Sequence, residues 1–435
     1  MMKRISALPA IVLGTAVASL AFGQDDLFGL SVTAGAKFTD NRDAIDDGTL
    51  VNGVPEQKED QWAYYIGPTL SFYREISDRM EFKAAYSPVY TWYDNAREGT
   101  EDKKWEHTVR ANFLYKFSNT TSIKFNEDFW FTGQKSYFYG DDYSYDPSRD
   151  TRVNDDYYQN RFALAFSHFL TQDTYMSLSG RSRIKRYDEK EYADYCDEDE
   201  FGGRFDLMTV QSRFLTWGAF FDYTSWERKN DASKAAGNEL KIGVDYFTAG
   251  LQATIDINGD KDSIVYASVG YNHASYDADD LDDQDMFGDS RLELRLFQQK
   301  DTQFLAGLRY GIDYSDVYPF SSQKDLASYA SLTQYLGQNR KFRASASVEY
   351  RTRKYDLEDD LDPAAARYGY VKALQEAKNG GDYKRDSIYV RLAANYRFTD
   401  AFSAGAFYSF EDVDSDVGTS YSENIFGLNA TYKFF

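Results

Sequence analysis

The sequence predicts an all-β chain, a closed antiparallel transmembrane β-barrel of about 18 strands with 16 as the alternative, short turns at one end and long acidic loops at the other. Three observations predict it. Apolar and polar residues alternate in steps of two along nearly the whole chain, the connections alternate between short and long, and aromatics make up 17% of a chain whose mean hydropathy is only −0.63. No stretch beyond the N-terminus is apolar for the roughly 20 residues that a membrane-crossing helix needs. A helical membrane protein is excluded, and 37 Tyr, 29 Gly and only 7 Pro suit many strands instead.

The first element is not a strand. "MMKR" is a short basic segment, "ISALPAIVLGTAVASLAF" an apolar run, and Ala21-Phe22-Gly23 a small-x-small cleavage site. This layout predicts a signal peptide over residues 1–23 and an exported mature barrel over 24–435. Pro9 and Gly14 inside the run weigh against an uncleaved anchor helix. The single cysteine, Cys196, has nothing to pair with and sits in an acidic stretch as a bystander.

Seven strands follow up to Tyr187, near 27–38, 61–74, 80–92, 105–117, 121–133, 157–169 and 174–187. The third shows the pattern: Met80, Phe82, Ala84, Tyr86, Pro88, Tyr90 and Trp92 share one parity, and Glu81, Lys83, Ala85, Ser87 and Thr91 the other. One face is apolar and the other wet. Ten more strands read back from the C-terminus to about residue 212. Seventeen is wrong for a bacterial barrel whose two ends lie on the same side, because that layout demands an even number. The miscount localises to "RFDLMTVQSRFLTWGAFFDYTSWER" at 204–228, too long for one strand, and splitting it near Thr216–Gly218 gives 18. Sixteen follows if 239–257 is misread; there the apolar parity switches between Tyr246 and Phe247, which predicts a bulge.

Short connections such as "SDR", "SNT", "TQD", "NGDKD", "QQKD", "GQNRK" and "TD" interleave with longer acidic ones at 39–60, 134–156, 188–203, 276–289 and 356–384. Short turns on the periplasmic side and long loops outside are the layout of an outer-membrane barrel, and closure is required because an open edge in lipid leaves backbone groups unpaired. Within the last long loop, Asp362, Pro363 and Gly380-Gly381 bracket good helix formers and predict a short helix over 362–379, either a surface decoration or a constriction folded into the lumen.

The final segment, "ENIFGLNATYKFF", places Phe426, Leu428, Ala430, Tyr432 and Phe434 on one parity. It resembles the C-terminal assembly signal of bacterial outer-membrane proteins. With its leader, Tyr-rich strands and acidic loops, the chain is similar to the β-barrel porins of Gram-negative bacteria. The resemblance implies insertion into the outer membrane by the barrel-assembly machinery, contact with outer-membrane lipid and lipopolysaccharide, and passage of small hydrophilic solutes. It implies no cofactor and no nucleic acid. A TonB-dependent transporter carries a plug domain before the barrel, whereas strand-like alternation here begins a few residues after the predicted cleavage site.

The candidate functional residues lie on the polar parity. Arg110, Arg161, Arg181, Arg183, Arg291, Arg295, Arg309, Arg343, Arg351, Arg391 and Arg397, with Lys116, Lys124 and Lys185, face Glu81, Glu106, Asp128, Glu293 and Glu349. A net basic wall in a chain of formal net charge −21 predicts a water-filled pore that favours anions, or a ladder of wall ion pairs. Tyr65, Tyr73, Tyr175 and Tyr389 share that face and offer rings for sugars to stack on. Two other classes stay open: a structural or surface-interaction barrel with a plugged lumen, and an outer-membrane hydrolase. Hydrolysis usually wants a histidine base, and His107, His168 and His273 all fall on the apolar parity. No metal is called for. The loop "YDADDLDDQDMFGD" at 276–289 offers Asp277, Asp279, Asp280, Asp282, Asp283 and Asp285, but lacks the Gly and terminal Glu of an EF-hand and reads as a solvated acidic surface.

Overall fold

The computed structural model describes residues 27–41, 50–51, 54–55, 58–94, 102–133, 156–187, 197–228, 242–276, 283–314, 322–356, 383–416 and 420–434. Eighteen strands form one sheet. In chain order they are β1 (Leu27–Thr39), β2 (Gln61–Ser77), β3 (Met80–Tyr93), β4 (Lys103–Lys116), β5 (Thr121–Gly133), β6 (Asp156–Phe169), β7 (Thr174–Tyr187), β8 (Glu198–Ser212) and β9 (Leu215–Arg228). They continue as β10 (Ile242–Asp256), β11 (Ile264–Tyr276), β12 (Asp283–Leu296), β13 (Thr302–Tyr314), β14 (Ser322–Leu336), β15 (Phe342–Asp356), β16 (Tyr383–Arg397), β17 (Phe402–Ser415) and β18 (Tyr421–Lys433). Every strand pairs antiparallel with its chain neighbours, and β1 pairs with both β2 and β18, so the sheet closes on itself. The first loop carries a two-stranded hairpin, Leu50–Val51 with Val54–Pro55.

The count is 18, and the alternative of 16 falls. The turn that completes it is Arg213-Phe214, just before the predicted split. Two loops were drawn too long: β8 begins inside 188–203 and β12 inside 276–289. The bulge predicted at Tyr246 and Phe247 is absent, because β10 keeps unbroken register with both neighbours. Val244 and Tyr246 pack on the inner side with Trp226 and Ala274 as a buried apolar cluster, which is why the alternation looks reversed there. Register shifts occur instead near Glu75, Val210 and Gly270. The predicted leader, Cys196 and the predicted helix at 362–379 lie outside the described residues.

The apolar parity faces outward. Leu70 on β2, Leu178 on β7, Leu251 on β10, Leu308 on β13 and Leu428 on β18 are each at least half exposed or nearly so, an arrangement that suits hydrocarbon and not water. At the loop end, outward rings run from strand to strand: Phe38 to Trp62 at 5.2 Å, Tyr64 to Trp92 at 5.6 Å, Tyr90 to Trp105 at 4.9 Å and His107 to Phe131 at 6.0 Å. At the turn end Tyr115 and Phe117, Tyr396 and Phe398, and Tyr432 and Phe434 make edge-on pairs. Two aromatic girdles flanking an apolar band mark a membrane-spanning barrel.

The seam between the first and last strands is tied by side chains as well as by the ladder. Asp40 accepts from Asn424 N and Nδ2, both at 2.7 Å, and Thr39 Oγ1 donates to Glu423 at 2.5 Å. Backbone N of Phe434 donates to Leu30 O at 2.8 Å, so the chain is held to its penultimate residue. Inside, large side chains lie across glycines of the adjacent strand. Tyr329 crosses Gly307 and Phe407 crosses Gly427, where an added Cβ would meet the ring at 2.5 Å and 2.0 Å.

Candidate functional site

The polar parity of all 18 strands faces the interior, and its middle section is open to water. Side-chain exposure there is 61% for Arg110, 50% for Arg309 and 43% for Arg291, and it is 45% for Arg295 at the turn end of β12. At the loop end the same face is buried at Gln61, Ala63, Lys104, Gln159 and Lys185.

Most charges on the wall are paired. Arg181 makes a bidentate contact with Asp222 at 2.7 and 2.9 Å and also bonds Thr224, while Arg183 lies 3.1 Å from Glu200. Glu293 is almost wholly buried because three groups converge on it: Arg291, Arg295 and the Tyr329 hydroxyl, which donates at 2.6 Å. Asp325 faces Arg351 at 3.1 Å, Arg309 at 3.6 Å and Arg353 at 3.8 Å. Glu349 lies 3.9 Å from Arg351, Glu106 takes Lys104 at 2.9 Å, Glu81 pairs with Lys83, and Arg110 lies 3.4 Å from Asp128.

Other predicted residues sit on rings rather than carboxylates. Arg161 lies over Trp130 at 5.2 Å, Arg391 over Phe407 at 5.0 Å and Arg343 over Tyr335 at 6.0 Å. Lys37 and Lys83 cover Tyr65 and Tyr73, both at 5.2 Å, so two of the rings expected to be free for sugars are occupied. Arg397 donates to the Asn339 carbonyl at the turn end, at 2.7 Å. The alternation missed Glu198, Glu200, Arg204, Asp206, Asp222, Asp325 and Arg353, which belong to the misassigned β8–β9 stretch and to strands whose partners it could not see. With these acids included, the wall is less one-sidedly basic than the sequence suggested.

All three histidines are on the outer face. His107 Nδ1 is 2.9 Å from the Tyr86 hydroxyl, His168 Nδ1 is 2.8 Å from Thr121 Oγ1, and His273 stacks on Phe247. Halfway along β5 the outer face carries Glu127, between Phe125 and Phe129, accepting from Asn160 at 2.5 Å. Of the acidic loop, Asp277, Asp279, Asp280 and Asp282 lie outside the described residues. Asp285 is committed to the Tyr310 hydroxyl and the Phe287 amide. Among the described residues no group of three or more His, Cys, Asp or Glu is placed to hold a metal ion.

No family model and no curated protein sequence matches this chain. Among solved structures, the siderophore receptor PirA from Pseudomonas aeruginosa aligns over 95% of this chain and 81% of its own, at 7% identity and a TM-score of 0.47. The FrpB iron transporter from Neisseria meningitidis aligns over 90% of this chain and 63% of its own, at 12% identity and 0.48. The ferric-catecholate import receptor Fiu from E. coli aligns over 94% and 82%, at 10% and 0.43. Likeness at this level does not extend from those proteins' ligands to this chain.

Proposed function

We propose that the chain is a diffusion channel of the bacterial outer membrane, passing small hydrophilic solutes with a preference for anions and without catalysis. One observation carries the reading. Arg110, Arg291 and Arg309, at mid-height on the inner face, have side chains 43–61% exposed, so water reaches the wall of a barrel whose 18 strands make it wide enough for an aqueous channel. Arginines facing that water raise the local concentration of anions and lower the barrier to their passage. The short-turn end lies in the periplasm and the long loops face outward.

The buried inner residues at the loop end, Lys104 and Lys185 among them, favour a second reading in which the lumen is closed there and the acidic loops act as an interaction surface. Conductance of the refolded chain in a planar bilayer under a salt gradient separates the two. Steady openings with an anion-selective reversal potential are expected. A correctly folded, heat-modifiable barrel that never conducts overturns the channel and leaves the closed barrel.

A further inference from the structure

At the loop end of the outer face the pairing register lines up three lysines. Lys324 on β14 is directly opposite Lys354 on β15, and Lys354 is directly opposite Lys384 on β16. All three share the parity of Leu326, Tyr350 and Leu392, exposed residues that face lipid. Directly opposed residues have Cβ atoms about 5 Å apart, and like charges so placed destabilise a sheet. On β1 to β5 the outward loop-end positions carry rings instead: Phe38, Trp62, Trp92, Trp105 and Phe131. The girdle therefore changes from aromatic to cationic across β14 to β16.

Depth decides what such a row meets. Lys354 lies 12 residues along β15 from Phe342 at the turn end. At about 3.4 Å per residue and a tilt of about 40° that is a rise of about 31 Å, against an apolar band about 25 Å tall. The lysines therefore stand beyond the hydrocarbon, at the level of lipid headgroups, and the same tilt spreads the three over only about 6 Å of depth. Lys354 is exposed, and the Lys384 side chain is 43% exposed. Acids bound the row on the loop side and on one flank. Asp356 ends β15 beyond Lys354, Asp386 accepts from Lys384 Nζ at 2.5 Å and from Thr352 Oγ1 at 2.7 Å, and Asp412 and Asp414 follow on the outward parity of β17 with Asp416 just past its end. On the membrane side of Lys324 and Lys354 the outward residues are Leu326, Ser328, Tyr350 and Thr352, none of them charged.

We infer that Lys324, Lys354 and Lys384 form a docking row for the phosphate groups of lipopolysaccharide, whose acyl chains lie against the apolar band while its phosphates meet the ammonium groups from the membrane side. An ammonium is a compact charge with three rotatable donors, so two on neighbouring strands suit one phosphate without the fixed geometry a guanidinium demands. A bound phosphate also offsets the like-charge repulsion that the register imposes. The inference takes the long loops to lie outside the cell and goes beyond the channel reading, since it needs no open lumen.

The probe is lipid A carrying both of its phosphates, added to the refolded full chain in non-ionic detergent and read by native mass spectrometry. Saturable binding is expected, weakened about fivefold in Lys354→Gln and about twenty-fivefold when Lys324→Gln is added, the effect of one and then two lysines at an anionic lipid surface. Lys354→Arg keeps the charge and should bind within about twofold of the parent. Lys103→Gln removes the same charge from the exposed outward loop end of β4 and should also change the affinity less than about twofold. Lipid A stripped of its phosphates should not bind saturably. Equal losses in Lys354→Gln and Lys103→Gln overturn the row in favour of net charge, and equal binding of the stripped lipid overturns it in favour of the acyl chains. Displacement by inorganic phosphate at the same concentration overturns the lipid as occupant in favour of a free anion. Because binding is read without conduction, saturable binding in a chain that never conducts supports the row and overturns only the channel.

Discussion

Gly307→Ala tests whether the inner wall is organised by side chains that cross the backbone of the next strand. A Cβ on residue 307 would stand 2.5 Å from Cζ and the hydroxyl oxygen of Tyr329 and 3.0 Å from the carbonyl of Leu292. The carbonyl belongs to the sheet ladder and cannot yield, so the tyrosine ring must. Its hydroxyl now donates to Glu293 at 2.6 Å, and moving the ring leaves a buried carboxylate with one donor fewer. A hydrogen bond to a charged group contributes about 1.5–3 kcal/mol. Replacing glycine by alanine within a strand returns about 0.5–1 kcal/mol through the unfolded chain. The net cost is therefore about 1–2 kcal/mol, readable as a lowered midpoint when the chain in lipid vesicles is titrated with urea. Tyr329→Phe removes the same bond without the new methyl group and should cost about 1.5–3 kcal/mol. Since both changes break one interaction, the double variant should cost less than the sum, by roughly the energy of that bond. A Gly307→Ala barrel as stable as the parent, or two costs that simply add, would refute the crossing as a source of stability.

Three further outcomes follow from the outer face and the seam. Glu127→Leu combined with Asn160→Leu removes a polar pair flanked by Phe125 and Phe129 and should stabilise the barrel in vesicles by about 1–2 kcal/mol, since charge on a lipid-facing position costs energy even when the residue is acidic; a destabilised double variant would mean that the pair meets protein or water rather than lipid. Asp40→Ala deletes both bonds to Asn424 across the closing seam, and a loss of about 1.5–3 kcal/mol in the same titration is expected, with no change if the ladder alone closes the sheet. Phe434→Ala takes away an outward ring packed edge-on against Tyr432 at 4.9 Å; cell-envelope fractions should show a fall in inserted protein larger than any change in the stability of refolded material, and equal changes in both would place the residue in packing rather than in assembly.

Much of this barrel is legible in one dimension because lipid on one side and water on the other impose a period of two, and β3, β4, β15 and β16 follow it with few exceptions, among them Val89 and Leu114 on the polar parity and Lys354, Lys384 and Asp386 on the apolar one. Legibility fails where that contrast fails. The turn Arg213-Phe214 contains no Gly, Pro, Asn or Asp, so no local signal separates β8 from β9. Its geometry is set by neighbours instead: Ser212 Oγ accepts from the Phe214 amide at 3.1 Å, and the Asp256 amide donates to the Phe214 carbonyl at 2.8 Å. Near the loop end of β10 the inner wall is itself apolar, with Trp226, Val244, Tyr246 and Ala274 packed together, and an alternation argument reads such a wall as a reversed face.

The functional wall fails to show for a different reason. Parity says which residues share a face of the sheet. Whether an arginine is neutralised depends on the register between strands, which no single strand encodes. Asp325 lies 16 residues along the chain from Arg309 and 26 from Arg351, yet one carboxylate serves both because β13, β14 and β15 are adjacent and in step. The same step sets Arg291 against Arg309 instead of against an acid. A shift of two residues in the β12–β13 pairing would preserve every inward and outward assignment while placing Glu293 opposite Arg309. The alternation would look the same, and the row of guanidiniums facing the lumen would be gone. The chemistry of this wall is thus a property of register.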